Sequence, residues 1–398
     1  MDISKEWTAV ILAGGFGTRL RPLTTNICKP MVKVTNKSMV DFAIDHLRYA
    51  GIKRIIVCVK HLGDLLRKQI IETWGSVMEE EDEFNIEIPK NDSKGTADAV
   101  RKIWDYIETD YFIVSMADII TNLPAKDFMQ FHMDKQADST ISMKPIDEFA
   151  TKYGNTVING EGRIQLFLEK PSPQEIFLSS LAGQFKQTQE VLPIINTGIY
   201  CFTKDCAQQS IMQTNFMDFG KEIFPYLLEN NYNLYGFVEN YYWMDVGNPK
   251  TYLWANWDIL REYGWPIMPN GEDLNNKKIW WSSEPIHPPS TTIEERVCLG
   301  NNIFFDEDVK IGTLTVLGNN VKIGKGTTID HSVIWDNVEI GDNCKITETV
   351  VADGCQIGDN VELRTETIIG PNVTIGDGVL LDSRTIDGDT NISKKDKH

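Results

Sequence analysis

The sequence predicts an α/β protein: a Rossmann-like, mostly parallel sheet followed by a left-handed parallel β-helix. Three observations lead to this fold class. Strand-like and helix-like segments alternate along the first part of the chain, a glycine-rich loop follows the first apolar segment, and short Val/Ile pairs recur with glycine at a regular spacing in the last part. The predicted domains are residues 1–262, a Pro-rich linker at 263–292, the β-helix at 293–392 and a tail at 393–398.

The first predicted strand is the apolar run Ala9-Val10-Ile11-Leu12, whose length and branched side chains are typical of a buried parallel strand. A loop follows directly, and its closely spaced glycines let the backbone turn tightly and bring N–H groups against an anion. These glycines are Gly14, Gly15 and Gly17. The loop therefore predicts a phosphate-binding site at the end of the first strand.

Two cations accompany this loop: Arg19 ends it, and Lys29 follows further along the chain. Both can meet a polyphosphate that backbone N–H groups alone would not neutralise. The loop is not a Walker loop, which needs Gly-Lys-Ser/Thr, nor a dinucleotide fingerprint, which needs a small residue where Leu20 stands. The alternative interpretation is a glycine-rich turn with two surface cations.

The next elements continue the alternation. An amphipathic stretch at 39–49 precedes an apolar strand at 55–59, and another at 97–107 precedes an apolar strand at 111–116. Such alternation predicts a mostly parallel sheet, in which ligands gather at the carboxyl ends of the strands. Asp118, just after the last of these strands, is therefore expected at the same edge as the glycine loop.

Prolines mark the change from one part to the other, and a repeat follows. The linker prolines are Pro266, Pro269, Pro285, Pro288 and Pro289.

Beyond them, Val321-Lys322-Ile323-Gly324 is followed by similar segments ending at Gly341, Gly358 and Gly376, so the glycines are spaced 17, 17 and 18 residues apart. About 18 residues per coil is typical of a hexapeptide-type β-helix, whereas a run of hairpins would show period-2 alternation with Asn-Gly turns. The open coil ends and flat faces predict a homo-oligomer formed through this domain.

Composition narrows the class of partner. The formal charge of -18, from 39 basic and 57 acidic residues, would repel nucleic acid and anionic lipid, so we expect neither as a partner. Seven cysteines without a C-x-x-C pair favour reduced thiols rather than zinc or redox chemistry. With no apolar window of about 18 residues and no targeting segment, the expected location is the cytoplasm.

The string from Ala13 to Thr24, with Lys29-Pro30 after it, resembles the signature of the sugar-nucleotide pyrophosphorylases, also called sugar-1-phosphate nucleotidyltransferases. This family joins a nucleoside triphosphate to a sugar 1-phosphate and releases pyrophosphate. Four further segments resemble family segments in the right order: Gly95-Thr96-Ala97-Asp98-Ala99-Val100, Glu169-Lys170-Pro171, Asn196-Thr197-Gly198-Ile199-Tyr200 and Tyr242-Trp243-Met244-Asp245-Val246-Gly247-Asn248-Pro249. The resemblance implies that residues 1–262 are the catalytic domain.

The resemblance also implies roles for individual residues. Catalytic roles fall to Arg19 and Lys29 on the triphosphate, and to Asp118 and Asp245 as ligands of a magnesium ion, Mg2+; Ala117 stands where the family usually has glycine. The nucleotide-binding residues would be Leu12, Ala13, Gly14, Gly15, Gly17, Thr18, Gly95 and Thr96. The sugar-phosphate-binding residues would be Gly154, Glu169, Lys170 and Asn196. The reaction implied is an in-line displacement at the α-phosphorus without a covalent enzyme intermediate, which rests on positioning and electrostatics.

Several alternatives stay open. The length, the single β-helix and the segment around Asp245 resemble mannose-1-phosphate guanylyltransferases, which make GDP-mannose, whereas the segment at Gly95 resembles glucose-1-phosphate adenylyltransferases; thymidylyl and uridylyl transfer are further options. A second class is a regulatory subunit that binds sugar nucleotides without making them. A third is an acyltransferase that would use His331 of the β-helix as a base, against which His331 is simply a corner residue.

Overall fold

The computed structural model describes residues 6–60, 63–81, 83–146, 155–169, 172, 174, 194–273 and 276–393. It divides into two compact units. The sheet unit consists of Met1–Gly14 and Ala43–Trp243, and the β-helix unit consists of Gly15–Phe42 and Met244–His398. Each unit is made of two separate stretches of sequence, so the units do not test the predicted domain boundaries at residues 262 and 292, which stay predictions.

Thirteen strands and seven α-helices precede the repeats in the described residues. The strands are β1 (Trp7–Ala13), β2 (Lys33–Val34), β3 (Lys37–Ser38), β4 (Arg54–Val59), β5 (Asn85–Glu87), β6 (Tyr111–Met116), β7 (Ile119–Thr121), β8 (Ser139–Pro145), β9 (Asn155–Ile158), β10 (Ile164–Leu168), β11 (Ile194–Thr203), β12 (Leu234–Val238) and β13 (Trp243–Asp245). The helices are α1 (Met39–Tyr49), α2 (Gly63–Glu80), α3 (Thr96–Lys102), α4 (Ala125–Asp134), α5 (Lys204–Ala207), α6 (Phe224–Glu229) and α7 (Pro249–Leu260). Short 3₁₀ turns cover Thr18–Leu20, Lys29–Met31 and Trp104–Tyr106, and π-helical turns cover Gln208–Met212 and Phe219–Ile223.

The main sheet of the sheet unit has the order β10-β9-β11-β6-β1-β4-β5, with β8 paired to β11 and β12 paired to β8. Its centre is parallel, because β1 pairs in parallel with both β4 and β6, and β4 pairs in parallel with β5. The strand β11 runs antiparallel to β6. Ala9, Val10 and Ile11 are completely buried, as expected for a strand covered on both faces. The predicted α/β sheet is confirmed.

The register of β1 and β6 brings two predicted site segments to one edge. Leu12 lies opposite Met116, and the backbone N–H of Ala117 donates to the Leu12 carbonyl at 3.0 Å. The carboxyl ends of the two strands therefore stop side by side. Within the sheet unit, this places Asp118 next to the residues that lead into the glycine loop.

The β-helix unit consists largely of short parallel strands in three sheets. They are β14 (Glu272–Asp273), β15 (Ile279–Trp281), β16 (Thr292–Ile293), β17 (Val297–Leu299), β18 (Phe304–Phe305), β19 (Lys310–Ile311), β20 (Thr315–Leu317), β21 (Lys322–Ile323), β22 (Thr328–Asp330), β23 (Val333–Ile334), β24 (Glu339–Ile340), β25 (Lys345–Thr347), β26 (Val350–Val351), β27 (Gln356–Ile357), β28 (Glu362–Arg364), β29 (Ile368–Ile369), β30 (Thr374–Ile375), β31 (Leu380–Asp382), β32 (Thr385–Ile386) and β33 (Asn391–Ile392). From β16 onward each strand pairs in parallel with the third strand after it, so the chain winds as a three-sided β-helix around a core rich in Val, Ile and Leu, consistent with the left-handed form. This part of the predicted fold is confirmed as well.

The regular glycine spacing has a steric cause. A Cβ atom on Gly324 would lie 2.4 Å from Asp342 Oδ1, and one on Gly341 would lie 2.3 Å from Asp359 Oδ1. The same carboxylate of Asp342 accepts the backbone N–H of Lys325 at 2.8 Å. Gly358 meets Asp377 in the same way, so at these three positions an aspartate of the next coil lies where a side chain would be, and only glycine leaves room for it.

No helix among the described residues is long and apolar enough to cross a membrane. All seven cysteines are buried and free of disulfides. Burial raises the pKa of Cys58 to about 12, so this thiol stays protonated at neutral pH.

We expect Asp353→Asn to stabilise the protein at alkaline pH and not at acidic pH. Burial, together with the neighbouring Asp336 carboxylate, raises the pKa of Asp353 from 3.8 to about 6. The unfolded chain therefore ionises first, and stability is lost as pH rises from about 4 to about 6, with a penalty on the order of 1–3 kcal/mol above that range. Asparagine keeps the Oδ1 acceptor that the Asp336 backbone N–H uses at 2.9 Å.

The measurement is the melting temperature of both proteins at pH 4 and pH 8. Asp342→Asn serves as the control, because Asp342 also accepts a backbone N–H but is exposed. A gain for Asp353→Asn that is equal at both pH values would contradict the assignment.

Candidate active site

Gly17 lets the loop after β1 pack closely against Lys29, and both residues belong to the β-helix unit. Gly17 has a φ of 64°, and a Cβ atom there would lie 3.0 Å from Lys29 Cβ and 3.1 Å from Thr24 Cγ2. The Thr24 hydroxyl donates to the Gly17 carbonyl at 2.8 Å, and the backbone N–H of Leu20 donates to the same carbonyl at 2.9 Å. The left-handed conformation and the close approach both require glycine at this position.

Lys29 is a buried cation paired with a carboxylate. It begins a 3₁₀ turn, and its exposed fraction is only 5%. Its ammonium lies 3.8 Å from Asp245 Oδ1, at the end of β13. A lysine is almost never buried to this extent without a partner. The pairing explains why the two predicted catalytic residues lie together although they are far apart in sequence.

Arg19 approaches the same carboxylate across Gly247. A Cβ atom on Gly247 would lie 3.6 Å from each carboxylate oxygen of Asp245 and 3.8 Å from Arg19 Nη2. Gly247 lies between β13 and α7, where its N–H donates to Thr251 Oγ1 at 3.0 Å. Arg19 itself is exposed. The β-helix unit therefore brings Arg19, Lys29 and Asp245 together around a position that has no side chain.

The other predicted nucleotide-binding and metal residues are divided between the two units, and Leu12, Ala13, Gly14 and Asp118 belong to the sheet unit. Leu12 and Ala13 end β1, and Asp118 lies in the turn after β6, joined to β1 through the Ala117 to Leu12 hydrogen bond. A Cβ atom on Gly14 would lie 3.5 Å from Lys60 Cβ. Gly15 and Thr18, in the β-helix unit, are exposed, and a Cβ atom on Gly15 would meet nothing within 4 Å.

Gly95 and Thr96 have structural contacts with the segment before the second π-helical turn. A Cβ atom on Gly95 would lie 2.1 Å from the Met217 carbonyl oxygen, which accepts the backbone N–H of Ala97 at 2.9 Å. The Thr96 hydroxyl donates to Asp218 Oδ2 at 3.3 Å and accepts the backbone N–H of Phe219 at 3.0 Å. Close backbone approach is thus the reason for glycine here, and a role toward the nucleobase stays a prediction.

The predicted sugar-side residues are described in part. Gly154 and Lys170 lie outside the described residues. Glu169 lies against Gly220, where a Cβ atom would be 2.6 Å from Glu169 Oε2. Asn196 turns the backbone of β11, because its Oδ1 accepts the Gly198 N–H at 2.9 Å and its Nδ2 donates to the Tyr200 hydroxyl at 3.1 Å.

Two polar residues near these segments were missed by sequence reasoning. Lys60 follows β4 at the same edge of the sheet as Leu12, and its ammonium donates to the Ser93 carbonyl at 2.7 Å. The rule that found Asp118, a polar residue directly after a buried strand, would also have found Lys60. Asp218 contacts Thr96 only through the tertiary fold, so no local signal points to it.

A family model described as nucleotidyl transferase matches residues 8–262. The chain belongs to the nucleotidyl transferase family. A second model, described as the EIF2B subunit epsilon LbH domain, matches residues 276–381. The two matches confirm the resemblance to sugar-nucleotide pyrophosphorylases with a C-terminal hexapeptide-repeat domain.

Curated relatives of this nucleotidyl transferase differ in base and sugar. A glucose-1-phosphate adenylyltransferase from Clostridium novyi is 31% identical over 82% of this chain and 85% of its own. A mannose-1-phosphate guanyltransferase beta-B from Xenopus laevis is 31% identical over 62% of each chain. A UTP--glucose-1-phosphate uridylyltransferase from a Synechocystis species is 27% identical over 82% of each chain.

The donor set of this nucleotidyl transferase fits magnesium. Among the residues the structure describes, no three or more His, Cys, Asp or Glu side chains form a metal cage. Magnesium in nucleotide sites is commonly held by one or two carboxylates together with substrate phosphates and water. Asp245 is a carboxylate of this kind, with 26% of its side chain exposed. Asp118, in the sheet unit, is partly exposed, and its role as a metal ligand stays a prediction.

His331 has structural partners in the β-helix unit. It occupies a corner with a φ of 48°, and its Nδ1 lies 2.8 Å from Asp330 Oδ2. Its carbonyl accepts the indole N–H of Trp257 at 3.1 Å, and the two rings meet edge to face at 5.6 Å. These contacts favour the corner-residue interpretation over that of an acyltransferase base.

We expect Gly95→Ala to destabilise the protein and Gly15→Ala to leave stability unchanged. The new Cβ atom at Gly95 would overlap a backbone carbonyl that accepts a hydrogen bond, whereas at Gly15 it would enter open space. Strain of this kind costs about 1–3 kcal/mol. Thermal unfolding of the two variants beside the wild type checks this, and equal melting temperatures for both variants would contradict it.

Proposed function

We propose that this protein is a sugar-1-phosphate nucleotidyltransferase that uses a nucleoside triphosphate, a sugar 1-phosphate and Mg2+ to form a nucleotide sugar and pyrophosphate. The observation that carries the proposal is the convergence of Arg19, Lys29 and Asp245 around Gly247. Two cations and one carboxylate can hold a triphosphate together with the divalent ion that accompanies it. Membership of the nucleotidyl transferase family supports the same reaction class.

Each residue has a physical task in this proposal. Arg19, which is exposed, binds phosphate oxygens with its fork of N–H donors, and Lys29, which is buried, supplies a fixed positive charge. Asp245 orients the Lys29 ammonium and, with Asp118, supplies carboxylate oxygens to Mg2+. The bound metal offsets negative charge on the phosphates.

The sugar 1-phosphate oxygen attacks the α-phosphorus in line with the leaving pyrophosphate, so no covalent enzyme intermediate forms. Catalysis then consists of positioning and charge stabilisation. Glu169, Lys170, Asn196 and Gly154 are proposed to bind the sugar phosphate, and Gly95 and Thr96 to border the base.

For the specific substrates we propose GTP and mannose 1-phosphate. The segment from Tyr242 to Pro249 and the single β-helix support this pair, as does the guanyltransferase relative. ATP and glucose 1-phosphate are the second candidate, because the adenylyltransferase relative matches over a larger share of the chain. We further propose that the protein is cytoplasmic and forms a homo-oligomer through the β-helix, and that neither nucleic acid nor membrane is a partner.

The first experiment measures pyrophosphate release by the purified protein with Mg2+, crossing five nucleoside triphosphates with glucose, mannose, galactose and N-acetylglucosamine 1-phosphates. We expect one productive pair, because sugar and base are each recognised by hydrogen bonds that a wrong substrate leaves unmade. A folded protein that binds a sugar nucleotide but releases no pyrophosphate in any combination would instead support the regulatory-subunit alternative.

We expect Arg19→Ala to lower kcat about 100- to 1000-fold with little change in melting temperature, because Arg19 is exposed and donates to developing charge. Arg21→Ala is the matched control, an exposed arginine of the same segment that is not among the nearest neighbours of the Gly247 position, and should stay within about threefold of wild type. Asp245→Ala is a less clean variant, because it leaves the Lys29 ammonium buried without this carboxylate. Steady-state kinetics of both arginine variants test this expectation, and an equal loss of kcat in the two variants would contradict the role assigned to Arg19.

We expect Gly247→Ala to fold normally and to lower kcat/KM for the triphosphate at least tenfold. The new methyl would make ordinary contacts of 3.6 to 3.8 Å with Asp245 and Arg19, so it strains nothing but fills the space between them. A bound triphosphate that has to shift to avoid the methyl would react more slowly, because a displacement of about 1 Å can cost about 100-fold in rate. Gly75→Ala, in helix α2 with nothing near the added atom, is the control. Normal kinetics in Gly247→Ala would show that this position is not part of the site.

A further inference from the structure

A hairpin four residues beyond Lys29 is bound to the β-helix within the β-helix unit. Strands β2 and β3 pair in antiparallel fashion around Thr35 and Asn36, both of which have positive φ. The ammonium of Lys33, on β2, lies 2.6 Å from Asp336 Oδ2. The other oxygen of Asp336 accepts the backbone N–H of Asn319 at 2.8 Å, so the carboxylate is held by its own β-helix.

The tip of the hairpin is held by buried polar contacts. Asn36 Nδ2 donates to the Leu317 carbonyl at 2.8 Å, in the β-helix. The backbone N–H of Thr35 donates to Asn256 Oδ1, on α7, at 2.7 Å, and Thr35 and Asn256 are both completely buried. The Cys298 thiol donates to the Thr35 carbonyl at 3.4 Å. Buried hydrogen bonds of this kind are costly to break, because the separated groups lose water as well as partner.

Helix α7 is fastened at the same place. The hydroxyl of Tyr252 donates to the Lys33 carbonyl at 2.7 Å and accepts the indole N–H of Trp335 at 2.8 Å. Tyr252 is completely buried, and its ring meets that of Trp335 edge to face at 6.1 Å. Since α7 begins just after Gly247, one β-helix tryptophan is linked both to the segment after Lys29 and to the helix after Asp245.

We propose that Asp336 and Trp335 of the β-helix are positioning residues for nucleotidyl transfer, which hold Lys29 and Asp245 in register through Lys33 and Tyr252. This inference rests on the proposed function for its kinetic consequence. The path is short, because the backbone N–H of Val32 donates to the Lys29 carbonyl at 3.1 Å. The β-helix then takes part in ordering the phosphate-binding groups, in addition to the self-association proposed for it.

The decisive comparison is Asp336→Asn against Asp342→Asn in the full chain. Both aspartates accept a backbone N–H at 2.8 Å from the preceding coil, and both donate their own N–H to the aspartate of the next coil. Only Asp336 contacts Lys33. Asparagine keeps the acceptor for the backbone N–H of Asn319 and removes the negative charge, but it also alters Asp336 Oδ2, which accepts Asn319 Nδ2 at 3.2 Å. Lys33→Met leaves that coil contact in place, so Asp336→Asn, Lys33→Met and Asp342→Asn together separate loss of the Lys33 contact from damage to the β-helix.

The first readout is hydrogen exchange of the amides of residues 29–36, measured without substrate. We expect faster exchange in Asp336→Asn and wild-type exchange in Asp342→Asn. Trp335→Phe, which keeps a ring but removes the donor to Tyr252, should change exchange in the same direction. Equal exchange in Asp336→Asn and Asp342→Asn overturns the proposal. Because hydrogen exchange needs no turnover, it tests the contact between the hairpin and the β-helix even if the protein is inactive with every substrate pair. Such inactivity would reject the proposed function separately.

The second readout is steady-state kinetics with the productive substrate pair. We expect Asp336→Asn to lower kcat/KM for the nucleoside triphosphate about fivefold to thirtyfold, with an unchanged KM for the sugar 1-phosphate. Lys33→Met should have the same effect, and the double variant should be no worse than the more impaired single one, because both remove one contact. Additive losses, or normal kinetics despite faster exchange, would mean that the β-helix anchors the hairpin without positioning Lys29, and would overturn the inference.

Discussion

Burial of the Lys29 ammonium is the constraint on which the arrangement of the candidate site in the β-helix unit depends. A charge removed from water must have a partner close at hand, or the group loses its charge or the fold loses stability. Here the partner is Asp245 at 3.8 Å, and Gly17 lets the loop close against the lysine with a φ of 64°. The segments that carry Lys29 and Asp245, which are distant in sequence, are thereby held together. The exposed Arg19 approaches the same carboxylate.

The β-helix contributes to this arrangement through contacts that are more specific than burial of an apolar face. Lys33 and Tyr252 lie on the two segments that carry Lys29 and Asp245, and they meet Asp336 and Trp335 of adjacent positions on one coil. Because the coils are rigid stacks of parallel strands with closely packed cores, a group attached to one coil has few ways to move. A repeat domain is therefore well suited to hold the groups that are proposed to bind phosphate.

Local rules predict the positions of candidate site residues where the neighbouring chain determines their geometry. The buried strand β1 predicts the position of the loop, and the end of β6 predicts that of Asp118, because parallel strands bring their carboxyl ends to one edge. The same rule would have identified Lys60, after β4. It gave no indication of Asp218, whose contact with Thr96 joins segments about 120 residues apart, and it could not show that Gly95 is required by the Met217 carbonyl.

The sequence by itself determined the fold class, the β-helix and the family, because strand and helix periodicity, glycine spacing and short motif strings are all local or periodic features of a single chain. Gly324, Gly341 and Gly358 recur at a spacing of 17 residues because an aspartate of the next coil lies where a Cβ atom would be, so the sequence shows the repeat without any knowledge of the coil. Only the tertiary structure decided which groups meet: Lys29 with Asp245, Lys33 with Asp336, and Tyr252 with Trp335. These pairs depend on how distant segments pack against each other, and no local or periodic pattern in the sequence indicates which distant residues will be in contact.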